Sequence, residues 1–113
     1  MDKLNHYRDL IKTILTQYHQ LASQTPSPDV ESLLAFDETR DQYLWFQTGW
    51  RQKKRVRGIT VHIQIKSNKI WLEEDWTEEG MANELLKLGV PASDIVLGFH
   101  SPEVRQFTEF ALA

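Results

Sequence analysis

Cysteine is absent from this chain of 113 residues, which excludes disulfides, thiolate zinc sites and cysteine nucleophiles. No stretch reaches the roughly 18–20 apolar residues that cross a bilayer as a helix, and the first residues contain no apolar signal-peptide core. A lack of cysteine is also typical of proteins in reducing compartments. We therefore expect a cytoplasmic protein without a membrane-spanning segment.

Cofactor motifs are missing as well. The sequence has no phosphate-binding glycine-rich loop, no dinucleotide fingerprint and no H-E-x-x-H helix, so no nucleotide, metal ion or other cofactor is predicted. A small enzyme using His62 or His100 is conceivable, and a carboxylate such as Glu73 would then orient His62 as a base. No serine or lysine nucleophile is placed beside His62 by spacing. A structural histidine is the alternative interpretation, and we predict no catalytic residue.

The residues that are present have the composition of one folded domain. The chain is 41% hydrophobic and 26% charged, and its length matches an ordinary single domain, residues 1–113. It carries 13 basic and 16 acidic residues, a formal net charge of −3. Such a balance argues against a protein that coats nucleic acid, although an average can hide a local patch.

The N-terminal part has the periodicity of an amphipathic helix. Apolar residues recur at spacings of three and four between residues 4 and 22, namely Leu4, Tyr7, Ile11, Ile14, Leu15, Tyr18 and Ala22. This spacing places them on one helical face. The helix has to end before Pro26 and Pro28, which form a short linker.

From residue 30 the period falls to about two, which predicts four strands at residues 30–37, 41–50, 55–66 and 69–74. The third strand is the clearest, because Ile59, Val61, Ile63 and Ile65 alternate with polar residues. Short turns between the strands favour an antiparallel meander.

The C-terminal part predicts further helices. Asp75 and Glu78 are placed to cap a helix that Gly89 ends, and residues 95–99 are an apolar run of uncertain type. Ser101 followed by Pro102 predicts a short helix to about residue 106. The expected fold class is α+β, with an N-terminal helix, a four-stranded antiparallel meander sheet and C-terminal helices packed on one face.

The turns also predict the strand register, with Asp37 facing Asp41, Trp50 facing Arg55 and Lys66 facing Lys69. Leu44 then lies opposite both Leu34 and Val61, on the face that should carry the helices. The other face would carry Leu33, Ala35, Tyr43, Trp45, Thr60, His62, Gln64, Trp71 and Glu73.

Aromatic residues on a solvent-side sheet face are typical of an interface. We therefore interpret part of that face as a contact surface for a partner or for a second copy in a homodimer. Its candidate residues are Tyr43, Trp45, His62, Trp71 and Glu73. The alternative is that residues 95–113 of the same chain cover it.

A basic cluster occupies the turn between the second and third strands. Five of its seven residues are cationic, namely Arg51, Lys53, Lys54, Arg55 and Arg57. Cations beside Trp50 suit phosphates and stacked bases, and they equally suit an acidic protein partner. A third interpretation is mutual neutralisation, because the register places Arg57 opposite Glu78, among Glu73, Glu74, Asp75, Glu78 and Glu79.

Ordered motifs through residues 30–113 resemble the XisI family of cyanobacteria. The motifs are Gly49-Trp50, Arg55-Val56-Arg57-Gly58, Val61-His62-Ile63-Gln64-Ile65, Lys69-Ile70-Trp71-Leu72, Asp75-Trp76-Thr77-Glu78-Glu79-Gly80, Glu84-Leu85, Gly89-Val90-Pro91, Asp94-Ile95-Val96-Leu97-Gly98-Phe99-His100 and the ending Pro102, Arg105, Thr108-Glu109-Phe110-Ala111. Several motifs in the same order are a far more specific signal than any one of them.

The resemblance implies a role and not a reaction. The family takes its name from an accessory factor that works with the XisH protein and the XisF site-specific recombinase to excise the fdxN element during heterocyst differentiation. It therefore implies a non-enzymatic controlling factor with an XisH-like partner, acting near a recombinase complex on DNA. No catalytic residues are carried over. Direct DNA binding by the basic cluster and, third, a small enzyme are the alternative functions.

Overall fold

A computed structural model describes residues 2–24 and 29–113, and these residues form the α+β fold that the sequence predicts. The elements are, in chain order, helix α1 (Lys3–Gln24), strands β1 (Val30–Asp37), β2 (Gln42–Arg51), β3 (Lys54–Lys66) and β4 (Lys69–Asp75), helix α2 (Met81–Lys87), a single 3-10 turn (Ala92–Asp94), strand β5 (Ile95–Leu97) and helix α3 (Pro102–Arg105). The predicted linker at Pro26 and Pro28 lies outside the described residues.

The sheet has five strands in the order β1-β2-β3-β4-β5. The first four form the predicted antiparallel meander, and β5 adds to β4 in parallel, with Ile70 beside Ile95 and Leu72 beside Leu97. The prediction of four strands was therefore one strand short. Three consecutive buried apolar residues are too short a run to show the alternation that identifies a strand in a sequence. The run becomes recognisable as β5 only in the structure, where the connection through α2 brings it parallel to β4.

Both larger helices cover the same face of the sheet, which we call the helix face. The apolar side of α1 contributes Tyr7, Ile11 and Leu15 to the core, and α2 contributes Met81 and Leu85. The predicted packing on one face is thus confirmed for α1 and α2, whereas α3 buries none of its residues. Helix α2 begins later than predicted, and Asp75 caps it from six residues upstream by accepting a hydrogen bond from the Met81 N–H at 2.6 Å.

The register differs from the prediction at the β1–β2 turn. Asp37 pairs with Gln42 and not with Asp41, because residues 38–41 form a four-residue turn. Asp41 adopts φ 54° there, and its carboxylate accepts a hydrogen bond from Arg8 of α1 at 2.7 Å. Leu34 therefore faces Trp45, so the predicted pairing of Leu34 with Leu44 was wrong.

Two irregularities interrupt the longer pairings. Between β2 and β3 the predicted pair Trp50–Arg55 is confirmed and the register holds as far as Phe46–Ile59, but the next pair is Trp45–Val61, and Thr60 is left over as the extra residue of a β-bulge. The predicted pairing of Leu44 with Val61 was therefore wrong. A second irregularity lies between β3 and β4, where His62 pairs with Glu74 and Glu73 is the extra residue. After each extra residue, the side chains that a regular pairing would place on one face of the sheet lie on the other face.

Candidate interaction surface

Two residues of the predicted contact surface lie on the opposite side of the sheet. Tyr43 is completely buried in the core beneath the helices. The Trp45 ring stacks on Tyr18 of α1, with 5.6 Å between ring centroids. The prediction that Tyr43 and Trp45 face outward was wrong, because the longer β1–β2 turn and the bulge at Thr60 each shift the pairing by one residue.

The sheet face opposite the helices, which we call the open face, carries a different set of apolar side chains. The register and the strand alternation place Leu33, Leu44, Phe46 and Ile59 there. The Ile59 side chain is 39% exposed, and the other three are half-buried. Since α1 and α2 both pack on the helix face, this side of the sheet remains accessible beside β1 and β2.

His62 lies on the open face without the partner that the sequence predicted. Its Nε2 is 2.8 Å from Gln42 Oε1, and the Gln42 amide donates to Gln64 at 3.0 Å. The Glu73 carboxylate instead lies against Gly98, so close that a Cβ at Gly98 would be 2.2 Å from it. The predicted row of Tyr43, His62 and Glu73 therefore does not form.

No acid–base pair involving either candidate histidine is assembled in the part of the chain that the structure describes. His100 lies beside Phe99, with ring centroids 4.7 Å apart, and neither His62 nor His100 is hydrogen-bonded to a carboxylate there. Within residues 2–24 and 29–113, no three His, Asp or Glu side chains are grouped so that they would hold a metal ion. Among the described residues, the open face therefore offers contact area, and neither candidate histidine is paired there with a carboxylate.

Trp71 is covered by its own chain. The Lys66 ammonium lies 3.9 Å and the Arg105 guanidinium 5.3 Å from its ring centroid, and its indole N–H donates to the Lys66 carbonyl at 3.1 Å. Arg105 also donates to the Leu97 carbonyl, which fixes the C-terminal segment at this end of the sheet. Coverage by residues 95–113 was one predicted alternative, and it holds for Trp71 but not for the apolar residues beside β1 and β2.

The basic cluster lies at the end of a projecting hairpin. Pairing between β3 and β4 ends at Val61–Asp75, so residues 46–59, which we call the arm, extend beyond β4. Gln52 and Lys53 have φ values of 51° and 67°, as a two-residue type I′ hairpin loop requires. All five cations, Arg51, Lys53, Lys54, Arg55 and Arg57, are exposed.

The predicted neutralisation of these cations forms no ion pair in the part of the chain that the structure describes. Among the described residues, none of the five lies within the 4 Å of a carboxylate oxygen that defines an ion pair. The chain leaves the sheet after Asp75, with the Trp76 N–H bonded to the Thr60 carbonyl at 2.9 Å, so the acidic residues lie at the base of the arm and not beside its tip. Arg55 instead lies over the Trp50 ring at 5.4 Å.

Two clefts lie where the arm joins the sheet. One, of about 500 Å³, is lined by Phe46, Gln47, Thr48, Arg57, Gly58, Ile59 and Glu74. The other, of about 380 Å³, is lined by Glu73, Glu74, Asp75, Trp76 and Phe99. Trp76 is 75% exposed and Phe99 46%. Carboxylates, aromatic rings and cations are therefore concentrated at one end of the open face.

The groups with the clearest pKa shifts lie elsewhere, between α1 and its supports. Burial, and then the hydrogen bond to Asp94, raises the pKa of Tyr7 to about 12. Burial also raises the pKa of Tyr43, which donates to Asp41 at 2.9 Å. The hydrogen bond from Arg8 lowers the pKa of Asp41 despite partial burial. These shifts accompany contacts that hold α1 in place, so they do not indicate a catalytic site.

The fold and this surface define a small α+β domain with one covered sheet face, one open face and a cationic arm. Surfaces of this kind usually bind other macromolecules. None of the described helices combines the length and apolarity needed to cross a bilayer.

The family model for the XisI protein matches residues 1–112, and the chain belongs to the XisI family. The resemblance carried by the sequence motifs is thereby confirmed. The chain is similar to the fdxN element excision controlling factor XisI of Anabaena variabilis, with 49% identity, 99% of this chain and 100% of that chain covered, and a TM-score of 0.87. It is also similar to a XisI-like protein of the same organism, with 40% identity, 97% and 99% coverage, and a TM-score of 0.89. A comparison with curated proteins finds no match.

Proposed function

We propose that this chain is a non-enzymatic controlling factor in the excision of a DNA element. The observation that carries the proposal is its 49% identity, over 99% of its length, to a structure named as the fdxN element excision controlling factor XisI. The open face adds physical support, because half-buried and exposed apolar side chains without a covering helix favour protein contact. An XisH-like protein and a site-specific recombinase are the proposed partners.

Excision in the native host tests this function. Deletion of the gene should abolish the junction that forms when the element is excised, as measured by quantitative PCR, and the wild-type gene should restore it. Excision that proceeds normally without the gene would refute the proposed function.

The contribution of the open face is tested with two matched variants. Ile59→Asp places a charge on the open face, and Leu21→Asp places one on the exposed side of α1, where Leu21 is 61% exposed. We expect Ile59→Asp to lose excision and co-purification with the XisH-like protein, and Leu21→Asp to keep both. Circular dichroism confirms that each variant is folded. A folded Ile59→Asp protein that binds and functions normally would exclude the open face as the contact surface.

Direct DNA contact by the basic cluster is a second candidate function, favoured by five exposed cations that have no carboxylate partner among the described residues. Fluorescence anisotropy with a labelled duplex and a labelled single strand, each over a range of salt concentrations, would test it. Contacts with phosphates require an affinity that falls linearly with salt on logarithmic axes. The absence of binding at low salt would eliminate this candidate.

A further inference from the structure

Among the described residues, the five cations of the arm form no ion pair, and the same chain carries a cluster of acidic side chains most of which form none either. The acidic turn, which we define as Glu73, Glu74, Asp75, Glu78 and Glu79, holds five carboxylates in seven residues. Within the described ranges, only Glu79 of these forms an ion pair, with Lys87 at 3.3 Å. Without the five cations of the arm, the rest of this chain of net charge −3 would carry −8. The two clusters are therefore equal in size and opposite in charge.

The geometry keeps the four cations nearest the tip, Arg51, Lys53, Lys54 and Arg55, away from the acidic turn of the same copy, whereas Arg57 shares a cleft with Glu74. The acidic turn begins where β4 ends, beside Val61 at the base of the arm. About six residues of β3 separate this base from the tip, or about 20 Å of extended strand at roughly 3.3 Å per residue. Because the arm is a paired hairpin, its tip cannot fold back onto its own base.

A second copy can bring the clusters together. If two arms lie side by side in opposite directions, each tip reaches the base of the other arm and meets the acidic turn there. Contact between the two tips alone would oppose like charges, so the tip-to-base arrangement is the one that pairs opposite charges. It is also self-complementary, as an interface with two-fold symmetry must be.

The cleft beside the acidic turn suits a basic side chain. Glu73, Glu74 and Asp75 supply carboxylates, and Trp76 and Phe99 supply two exposed aromatic walls. A lysine or arginine can place its charge near the carboxylates and its aliphatic stem against the rings. Trp50, which is 54% exposed beside Arg55, would bring further apolar area from the tip.

We propose that the arm tip of one copy, residues 50–57, docks on the acidic turn of a second copy in a two-fold homodimer. DNA is a weaker match for this surface, since Glu74 lies in the same cleft as Arg57 and would repel phosphates, while Phe46 and Ile59 offer apolar contacts that a phosphate backbone does not use. The proposal does not depend on the proposed role in excision.

Charge reversal in the full chain tests the interface. One variant combines Arg51→Glu, Lys53→Glu and Lys54→Glu at the exposed tip, and the other combines Glu74→Lys and Glu78→Lys at the acidic turn. Light scattering coupled to size exclusion should give twice the chain mass of 13.3 kDa for the wild type and the single mass for each variant. An equimolar mixture of the two variants should recover the doubled mass, because both contacts then pair opposite charges.

Two further measurements make the result decisive. Arg40→Glu changes an exposed cation outside the arm and should remain dimeric, and high salt should dissociate the wild type because the pairs are near the surface. Circular dichroism controls for folding, and Glu78→Lys with Glu79→Lys, both at exposed positions, replaces the second variant if it does not fold. The proposal would be overturned by a monomeric wild type, by a dimer of either charge-reversal variant alone, or by a mixture of the two variants that stays monomeric.

A monomer that binds duplex DNA through the arm would instead assign the cations to phosphates. Purified protein alone is used, so this outcome is independent of the excision experiment.

Discussion

The two halves of β3 differ in how far their side chains are buried. From Val61 to Ile65, every second side chain is buried in the core. From Lys54 to Ile59, all but the half-buried Val56 are exposed, and the strand has no β4 beside it. The bulge residue Thr60 separates the halves. One strand thus serves the hydrophobic core at one end and presents charge to solvent at the other, so substitutions at the exposed end should leave the stability of the fold largely unchanged.

The largest expected effect breaks the buried half. Ile63 is fully buried in the core that also contains residues of both larger helices, and Ile63→Ala should reduce the free energy of unfolding by about 2–5 kcal/mol, since it removes apolar burial and leaves a cavity. Urea denaturation followed by tryptophan fluorescence measures this loss. Ile59→Ala on the same strand is the control, and we expect a loss below about 1 kcal/mol because the side chain is partly exposed. Equal losses would show that the two halves are not distinct.

A smaller effect is expected at the contact that keeps Trp45 on the helix face. The Trp45 indole N–H donates to Ser32 Oγ at 2.7 Å, and His19 Nδ1 lies 2.8 Å from the same oxygen. Ser32→Ala leaves the indole N–H without this acceptor, which should cost about 1–3 kcal/mol. Thermal unfolding measures it, and Ser93→Ala at an exposed position is the control. A neutral Ser32→Ala would mean that stacking on Tyr18 alone positions the ring.

The ion pair between α1 and the β1–β2 turn gives the helix face a dependence on pH. The Arg8 hydrogen bond lowers the pKa of Asp41, and the hydrogen bonds from Tyr7 and Lys3 lower that of Asp94 although burial opposes them. A carboxylate whose folded pKa lies below its unfolded value stabilises the fold above the unfolded pKa, about 3.9. That contribution is lost as the pH falls through the folded value.

Unfolding free energy should therefore decrease as the pH falls below about 4. Asp41→Asn should make this decrease less steep, and Arg8→Gln should do the same because it removes the group that lowers the pKa. Urea denaturation at a series of pH values measures the slope. An unchanged slope in both variants would assign the acid sensitivity to other carboxylates.

The sequence predicts those elements whose signals are local. The apolar spacing and the following prolines place α1 within two residues of its observed ends, and two-residue turns such as Ser67-Asn68, both with positive φ, give the pairing next to them correctly. A turn determines the residue pairs only as far as the next irregularity in the pairing. Past that irregularity the pairs are shifted by one residue, so even a correctly predicted turn assigns side chains to the wrong face of the sheet.

The bulge at Thr60 has no such local signal. Residues 59–65 alternate without a glycine or proline, so nothing in the pattern shows that Ile59 and Val61 point to opposite faces. The turn at residues 38–41 does leave one sign, since Asp37 accepts hydrogen bonds from the backbone N–H of Thr39 and Arg40, a role typical of aspartate opening a turn. The candidate surface depended on both shifts, and this is why Tyr43 and Trp45 were placed on the wrong face.

The smallest change in stability is expected for substitutions at the arm tip. They test most directly whether the exposed half of β3 contributes little to the fold while its buried half contributes much. Lys53 and Lys54 are exposed and form no ion pair with any described residue, so Lys53→Gln with Lys54→Gln should change the unfolding free energy by no more than about 0.5 kcal/mol. Glutamine keeps the length and polarity of the side chain and removes only its charge. Association measured by light scattering should weaken in the same variant. A clear loss of stability with unchanged association would mean that the tip supports the fold and does not recognise a second copy.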